Sequence, residues 1–287
     1  MSFKNLVEFI HSYQDVSISI NRLSDIYNEK SDNTTNERYL NISNDECITL
    51  KNVSFSHFGS DNKLFDNLNL SFPTNKISAI VGSSGSGKTT ILKLLLKYYQ
   101  PNSGGVYYKG TDINNIDSED WRQNISTVFQ DGYIFSDSIK DNIIMGDELD
   151  ENRYLEVLKL ANCYDFITKL PQKSETKIGE NGIGLSKGQL QRILIARAMY
   201  KNSSIIILDE ATSALDAKNE KEVHNNLLTY FKDKTVIIIA HRLSTVKNAD
   251  RIFVLDNGSV IEEGNHRQLV NDKNNYYELV KNQLELA

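Results

Sequence analysis

Ile77-Ser78-Ala79-Ile80-Val81-Gly82-Ser83-Ser84-Gly85-Ser86-Gly87-Lys88-Thr89-Thr90-Ile91-Leu92 is the stretch that decides how this chain folds. Its first five residues form a short apolar run, the pattern of a buried strand. Its last residues open an apolar helical stretch with Leu94, Leu95 and Leu96. Between them, Gly82 to Thr89 fits the spacing G-x-x-x-x-G-K-[ST]. Glycines let a backbone wrap an anion so that several N–H groups point inward, and the positive end of a helix dipole adds to the attraction. Lys88 is placed to reach terminal phosphates and Thr89 to hold Mg²⁺. A flexible Gly-Ser turn is the plainer alternative, but strand before and helix after are the context the phosphate loop requires.

Outward from this stretch, strands and helices alternate. Ile48 to Phe55 and Leu68 to Phe72 read as strands around the turn Gly59-Ser60-Asp61-Asn62. A turn is expected at Asn102 to Gly105, a strand at Ile125 to Phe129, and a largely helical region up to about Gly184. Leu190, Ile193, Leu194 and Met199 mark another helix. Ile205 to Leu208 and Val236 to Ala240 are further buried strands. Alternation of this kind predicts an α/β fold with a largely parallel sheet. Ligands bind such sheets at the carboxyl ends of the strands. Those ends carry Asp209 and Glu210 after one strand and His241 after another. Asp209 suits Mg²⁺, Glu210 could polarise an attacking water, and His241 could bond a γ-phosphate. Each alone is commonly structural; three strand ends that deliver Lys88 and Thr89, Asp209 and Glu210, and His241 to one sheet edge are much harder to dismiss.

The first 45 residues follow other rules. Leu6, Ile10, Tyr13, Val16, Ile20, Leu23 and Tyr27 recur every three to four residues, the seam of a helix that lies along other helices; an ordinary amphipathic helix folded onto the main domain and the end of a longer helix both fit this pattern. The polar run from Asn28 to Glu37 reads as a linker. Among the 287 residues, 39% are hydrophobic and 24% charged, as in ordinary globular proteins. A net charge of −6 with no long basic run argues against a nucleic-acid partner. No apolar stretch approaches the roughly 20 residues that cross a bilayer. Cys47 and Cys163 form no metal or redox motif and read as reduced thiols. The five histidines show no zinc spacing.

Leu185-Ser186-Lys187-Gly188-Gln189 resembles the LSGGQ signature of ATP-binding cassette (ABC) ATPases, with Lys187 in place of the first glycine. Ser186 and Gln189 also have the spacing of a helix capping box, and both readings can hold together. The other motifs of the family stand in order: Gln130 as the Q-loop glutamine, Ser213-Ala214-Leu215-Asp216 as the D-loop, and His241 as the switch histidine. Val53-Ser54-Phe55-Ser56-His57 resembles the adenine-stacking segment, with His57 where an aromatic residue is usual. The resemblance covers about Cys47 to Ala287.

It implies a P-loop NTPase (RecA-like) core, an antiparallel β subdomain and an inserted α-helical subdomain, preceded by an N-terminal helix. ATP would be held by His57, Gly82, Ser83, Gly85, Ser86, Gly87, Lys88, Thr89 and Thr90, and Mg²⁺ by Thr89, Gln130 and Asp209. Glu210, Gln130 and His241 would be catalytic. Ser186, Gly188, Gln189 and Asp216 would serve the nucleotide of a second copy, so that a homodimer sandwiches two ATP molecules. Gln130 to Ile143, Glu180-Asn181-Gly182 and His241-Arg242-Leu243-Ser244-Thr245 resemble exporter sequences, most similar to bacterial peptidase-containing exporters of bacteriocin-type peptides. On this resemblance, residues 1–45 are the end of a last transmembrane helix and a linker, and 46–287 are the nucleotide-binding domain. ATP hydrolysis would power peptide export on the cytoplasmic side of the cell membrane, with transmembrane domains as partners. A non-transport cassette ATPase or a nucleotide-gated interaction module is the alternative.

Overall fold

The computed structural model describes residues 3–28, 46–60, 62–180, 182–240 and 243–285. The chain divides into two compact units, 1–35 and 36–287. The first contains helix α1 (Phe3–Asn28). All seven residues of its apolar seam, from Leu6 to Tyr27, are solvent-exposed. Beyond Asn28, the run read as a linker lies outside the described residues. No helix among the described residues is long and apolar enough to cross a membrane.

In the second unit, β1 (Glu46–Phe55) and β2 (Phe65–Pro73) lead to β3 (Ile77–Gly82) and α2 (Lys88–Leu95). Next come β4 (Ser103–Tyr108), β5 (Thr111–Asp112), α3 (Ser118–Gln123) and β6 (Ile125–Val128). The helical stretch is α4 (Ile139–Ile144), α5 (Glu151–Leu160), α6 (Tyr164–Ile167) and α7 (Lys187–Lys201). It is followed by β7 (Ile205–Asp209), α8 (Ala217–Tyr230), β8 (Thr235–Ile239) and α9 (Leu243–Val246). Last are β9 (Arg251–Asp256), β10 (Ser259–Gly264), α10 (His266–Asp272) and α11 (Asn275–Glu285).

Two sheets result. The smaller is antiparallel, in the order β2-β1-β4-β5. Here the sequence reading is corrected: the turn expected at Asn102 to Gly105 is the start of β4. Gly104 sits in that strand with φ +74°, opposite a register shift in β1, and a Cβ on it would stand 2.2 Å from the Asn52 carbonyl oxygen. Glycine marks a close backbone approach at an irregularity in the strand, not a turn.

The larger sheet has the order β10-β9-β3-β8-β7-β6, parallel throughout except for β10 at its edge. Its strands are continuous apolar runs because both faces are covered. Alternation still decides where each side chain goes. Ile80, Ile205, Ile207, Ile237, Ile239, Phe253 and Leu255 join the core shared with the small sheet, α2 and Trp121 of α3. Ala79, Val81, Ile206, Leu208, Val236, Ile238, Ile252 and Val254 join a second core with α5, α7 and α8. Each fully buried branched side chain contributes about 1.5–3 kcal/mol, so neither face is expendable. Cys47 and Cys163 are free and buried in different cores, and burial pushes the Cys163 thiol up to about 12.

Candidate nucleotide-binding site

The parallel strands bring their carboxyl ends to one edge. β3 ends at Gly82 and enters the phosphate loop, while β7 ends at Asp209. Only β8 lies between them, with Ile239 opposite both Ile80 and Asp209. At about 4.8 Å per strand, loop and acidic pair are roughly 10 Å apart. Gln130 is exposed two residues beyond β6, the strand on the far side of β7. His241 follows β8 by two positions but lies outside the described residues, as does Asn181.

Glycine is obligatory in the loop for two separate reasons. At Gly82, a Cβ would stand 2.0 Å from the Leu255 carbonyl oxygen. At Gly87, φ is +105° and a Cβ would meet the Phe65 ring at 2.5 Å. Gly87 is also the N-cap of α2 and has no side chain to cap it. The amides of the first helical turn thus start at a cap that supplies no side-chain acceptor. Ser86 is buried, its carbonyl accepts from Gly258 N–H at 3.2 Å, and the Ser83 hydroxyl lies 3.3 Å from Asp256 Oδ1. The β9–β10 hairpin therefore braces the loop from behind. Thr89 is exposed and Thr90 buried.

Lys88 is buried at the start of α2, and its Nζ donates to the carbonyls of Gly82 at 2.9 Å and Ser83 at 2.6 Å. Desolvation lowers its pKa, while the charges of Glu210 and Asp209 pull the other way. The ammonium is thus held within the loop and feels both carboxylates.

Asp209 is buried. Glu210 adopts φ +49°, unusual for a residue with a side chain. Its N–H donates to the Ile239 carbonyl at 3.1 Å. This bond continues the β7–β8 ladder by one residue. The donor set among the described residues includes no cluster of three or more His, Cys, Asp or Glu suited to a metal. Mg²⁺ does not need one, since it takes one or two protein oxygens with substrate phosphates and water. Thr89 and Asp209 offer that chemistry at the phosphate-loop edge.

The signature residues start α7. Ser186 is its N-cap, accepting from Gln189 N–H at 3.2 Å, and Gln189 Oε1 accepts from Ser186 N–H at 2.9 Å. The capping box is therefore formed. Lys187 is exposed. Gly188 packs so closely that a Cβ would be 3.0 Å from the Ala214 carbonyl oxygen. Asp216 caps α8, accepting from Asn219 N–H at 3.0 Å. His57 is exposed, edge-on to Phe55 at 5.1 Å and to Tyr99 at 5.7 Å.

Two residues of this region escape the sequence reading. Tyr99 completes the aromatic group around His57, stacked on Phe55 at 5.2 Å. Gln191, buried in α7, bonds the Glu210 carbonyl and the Ala214 N–H. A glutamine among the apolar residues of a helix was its only signal.

Residues 65–213, just over half the chain, match the family profile described as ABC transporter. The chain belongs to the ABC transporter family. It carries the ATP-binding domain of that family, and its architecture is the P-loop NTPase fold with an antiparallel β subdomain and a helical insertion. It is similar to the alpha-hemolysin translocation ATP-binding protein HlyB of Escherichia coli O157:H7, 41% identical over 274 residues, covering 95% of this chain and 38% of that protein. It is also similar to the toxin RTX-III translocation ATP-binding protein of Actinobacillus pleuropneumoniae, 42% identical over 274 residues with the same coverage. Among solved structures, a bacterial Atm1-family ABC exporter with ATP bound superposes with a TM-score of 0.84 at 35% identity, covering 94% of this chain and 47% of that one. The chain thus spans well under half the length of the curated relatives it matches.

Proposed function

We propose that this ABC domain binds and hydrolyses Mg-ATP to power export, of a peptide or protein, across a membrane. The observation that carries the reading is the sheet edge. One parallel sheet delivers Lys88 and Thr89 on one side of β8 and Asp209 and Glu210 on the other.

In this reading the loop amides from Gly82 to Thr90 and the Lys88 ammonium bind the β- and γ-phosphates. Mg²⁺, held by Thr89, Asp209 and Gln130, would supply charge neutralisation at the γ-phosphate. Glu210 orients the attacking water for in-line displacement at phosphorus and accepts its proton. Gln130 and His241 contact the γ-phosphate, and His57 lies against adenine with Tyr99 supporting it.

The signature serves a second copy. What supports this is that α2 packs into one core and α7 into the other, on opposite faces of the sheet. Ser186, Gly188, Gln189 and Asp216 therefore act on the nucleotide of a partner in a homodimer. The relatives, named for toxin translocation, and the Atm1-family exporter support an exporter role. Transmembrane domains would then be partners, and the domain would work at the cytoplasmic face of the membrane. Residues 1–45 would be the cytoplasmic end of the membrane-domain region, and 46–287 the nucleotide-binding domain.

The test is Mg-ATPase turnover of the chain across a range of protein concentrations, beside Glu210→Gln. Turnover per molecule should rise with concentration. Glu210→Gln should bind ATP normally yet turn over roughly a hundredfold or more slowly. Absent wild-type turnover at every concentration, or near-normal turnover in Glu210→Gln, would sink the reading of this site.

A further inference from the structure

Gln191 lies two residues beyond the signature, in the second turn of α7, and is 4% exposed. Its side-chain amide is spent inside the protein. Nε2 donates to the Glu210 carbonyl at 3.1 Å, and Oε1 accepts from Ala214 N–H at 2.9 Å. Only one orientation of the amide satisfies both, because a carbonyl cannot donate and an N–H cannot accept. The two backbone groups bracket a turn in which Ser213 N–H also donates to the Glu210 carbonyl, at 3.0 Å. Glu210 itself holds φ +49°. A side-chain-bearing residue there is strained and persists only where its surroundings over-determine it. Among the bonds that hold this backbone are those to Ile239 on the strand side, to Ser213 within the turn, and to Gln191, which reaches in from α7. Gly188, one turn earlier in α7, meets the same segment at the Ala214 carbonyl. The beginning of α7 thus rides directly on residues 210–214.

We infer that Gln191 is a positioning residue for ATP cleavage: it fixes the backbone from which the Glu210 carboxylate projects and ties that backbone to the helix that begins with the signature. The inference rests on Glu210 being the group that orients water. It adds a coupling. A displacement of α7, driven by whatever binds at Ser186 and Gly188, would reach Glu210 through this side chain.

Gln191→Met keeps the length and approximate volume of the side chain and removes both hydrogen bonds. Its kcat is expected to fall roughly ten- to a hundredfold, as for a catalytic group displaced by about an ångström, with KM for ATP within about twofold of wild type. Amide hydrogen exchange across residues 210–216 should accelerate while β7 and β8 stay protected. Gln191→Asn, which keeps the amide one methylene too short, should show the same split and serves if Gln191→Met does not fold. Wild-type kcat in these variants overturns the inference. So does a loss of kcat accompanied by loss of ATP affinity and of protection throughout the sheet, the mark of a merely structural role. Glu210→Gln, measured alongside, reports separately on the underlying reading, since near-wild-type turnover there dismisses Glu210 whatever Gln191 does.

Discussion

Lys88 shows how one residue can serve binding at the expense of folding. Burial lowers its pKa although two carboxylates favour the ammonium. A folded-state pKa below the unfolded value means that folding disfavours the charged form. The penalty holds at neutral pH and is relieved only as pH rises through the lowered pKa toward that of an ordinary lysine. Lys88→Met is therefore expected to keep or raise the melting temperature while weakening ATP binding roughly ten- to a hundredfold; thermal melts and ATP titrations check the two halves. Gly87 carries the opposite balance. With φ +105° and the Phe65 ring where a Cβ would stand, Gly87→Ala should cost about 1–3 kcal/mol, seen as an earlier denaturant midpoint, and distort the loop as well.

At the scale of elements, Arg197 on α7 is the joint of the helical stretch. Its guanidinium donates to the Asn142 carbonyl at 2.6 Å, to Asn142 Oδ1 at 2.9 Å and to the Tyr133 carbonyl at 2.8 Å, and burial lowers its pKa to about 10. It thereby links α7, α4 and the segment just after Gln130. A lysine cannot reproduce this planar fork. Arg197→Lys should destabilise the protein by about 1–3 kcal/mol, measurable by denaturant unfolding, and loosen α4 before the large sheet in hydrogen exchange. Such joints also explain what could be read from sequence. The strands β3, β7 and β8, the phosphate loop and the capping box of α7 were legible, because each rests on local pattern and spacing. Ser103 to Tyr108 was not, since two glycines look like a turn until β1 is known to bulge against them. β9, β10, α10 and α11 carried no motif and went unread. Tyr99 and Gln191 were missed because the partners named here lie at least 42 and 19 residues away and only tertiary packing joins them.

In the whole molecule, the strand that launches the phosphate loop has no sequence-local neighbour. β3 pairs Ile77 with Val236 and Ser78 with Arg251, each more than 150 residues downstream. The back of the loop leans on Asp256 and Gly258. Pairings at such separation are slow to form, because loop closure precedes any reward. A chain ending at residue 230 keeps every residue from Gly82 to Thr90 and both Asp209 and Glu210. It lacks β8 and β9, and it is expected to show no ATP-dependent rise in melting temperature, whereas the full chain should. During synthesis the same constraint acts in time. A nascent chain whose nucleotide motif emerged early from the ribosome could not capture ATP until Val236 to Gly258 had followed it out. Nucleotide capture would then certify a finished domain, and half-made copies would not draw on the cell's ATP.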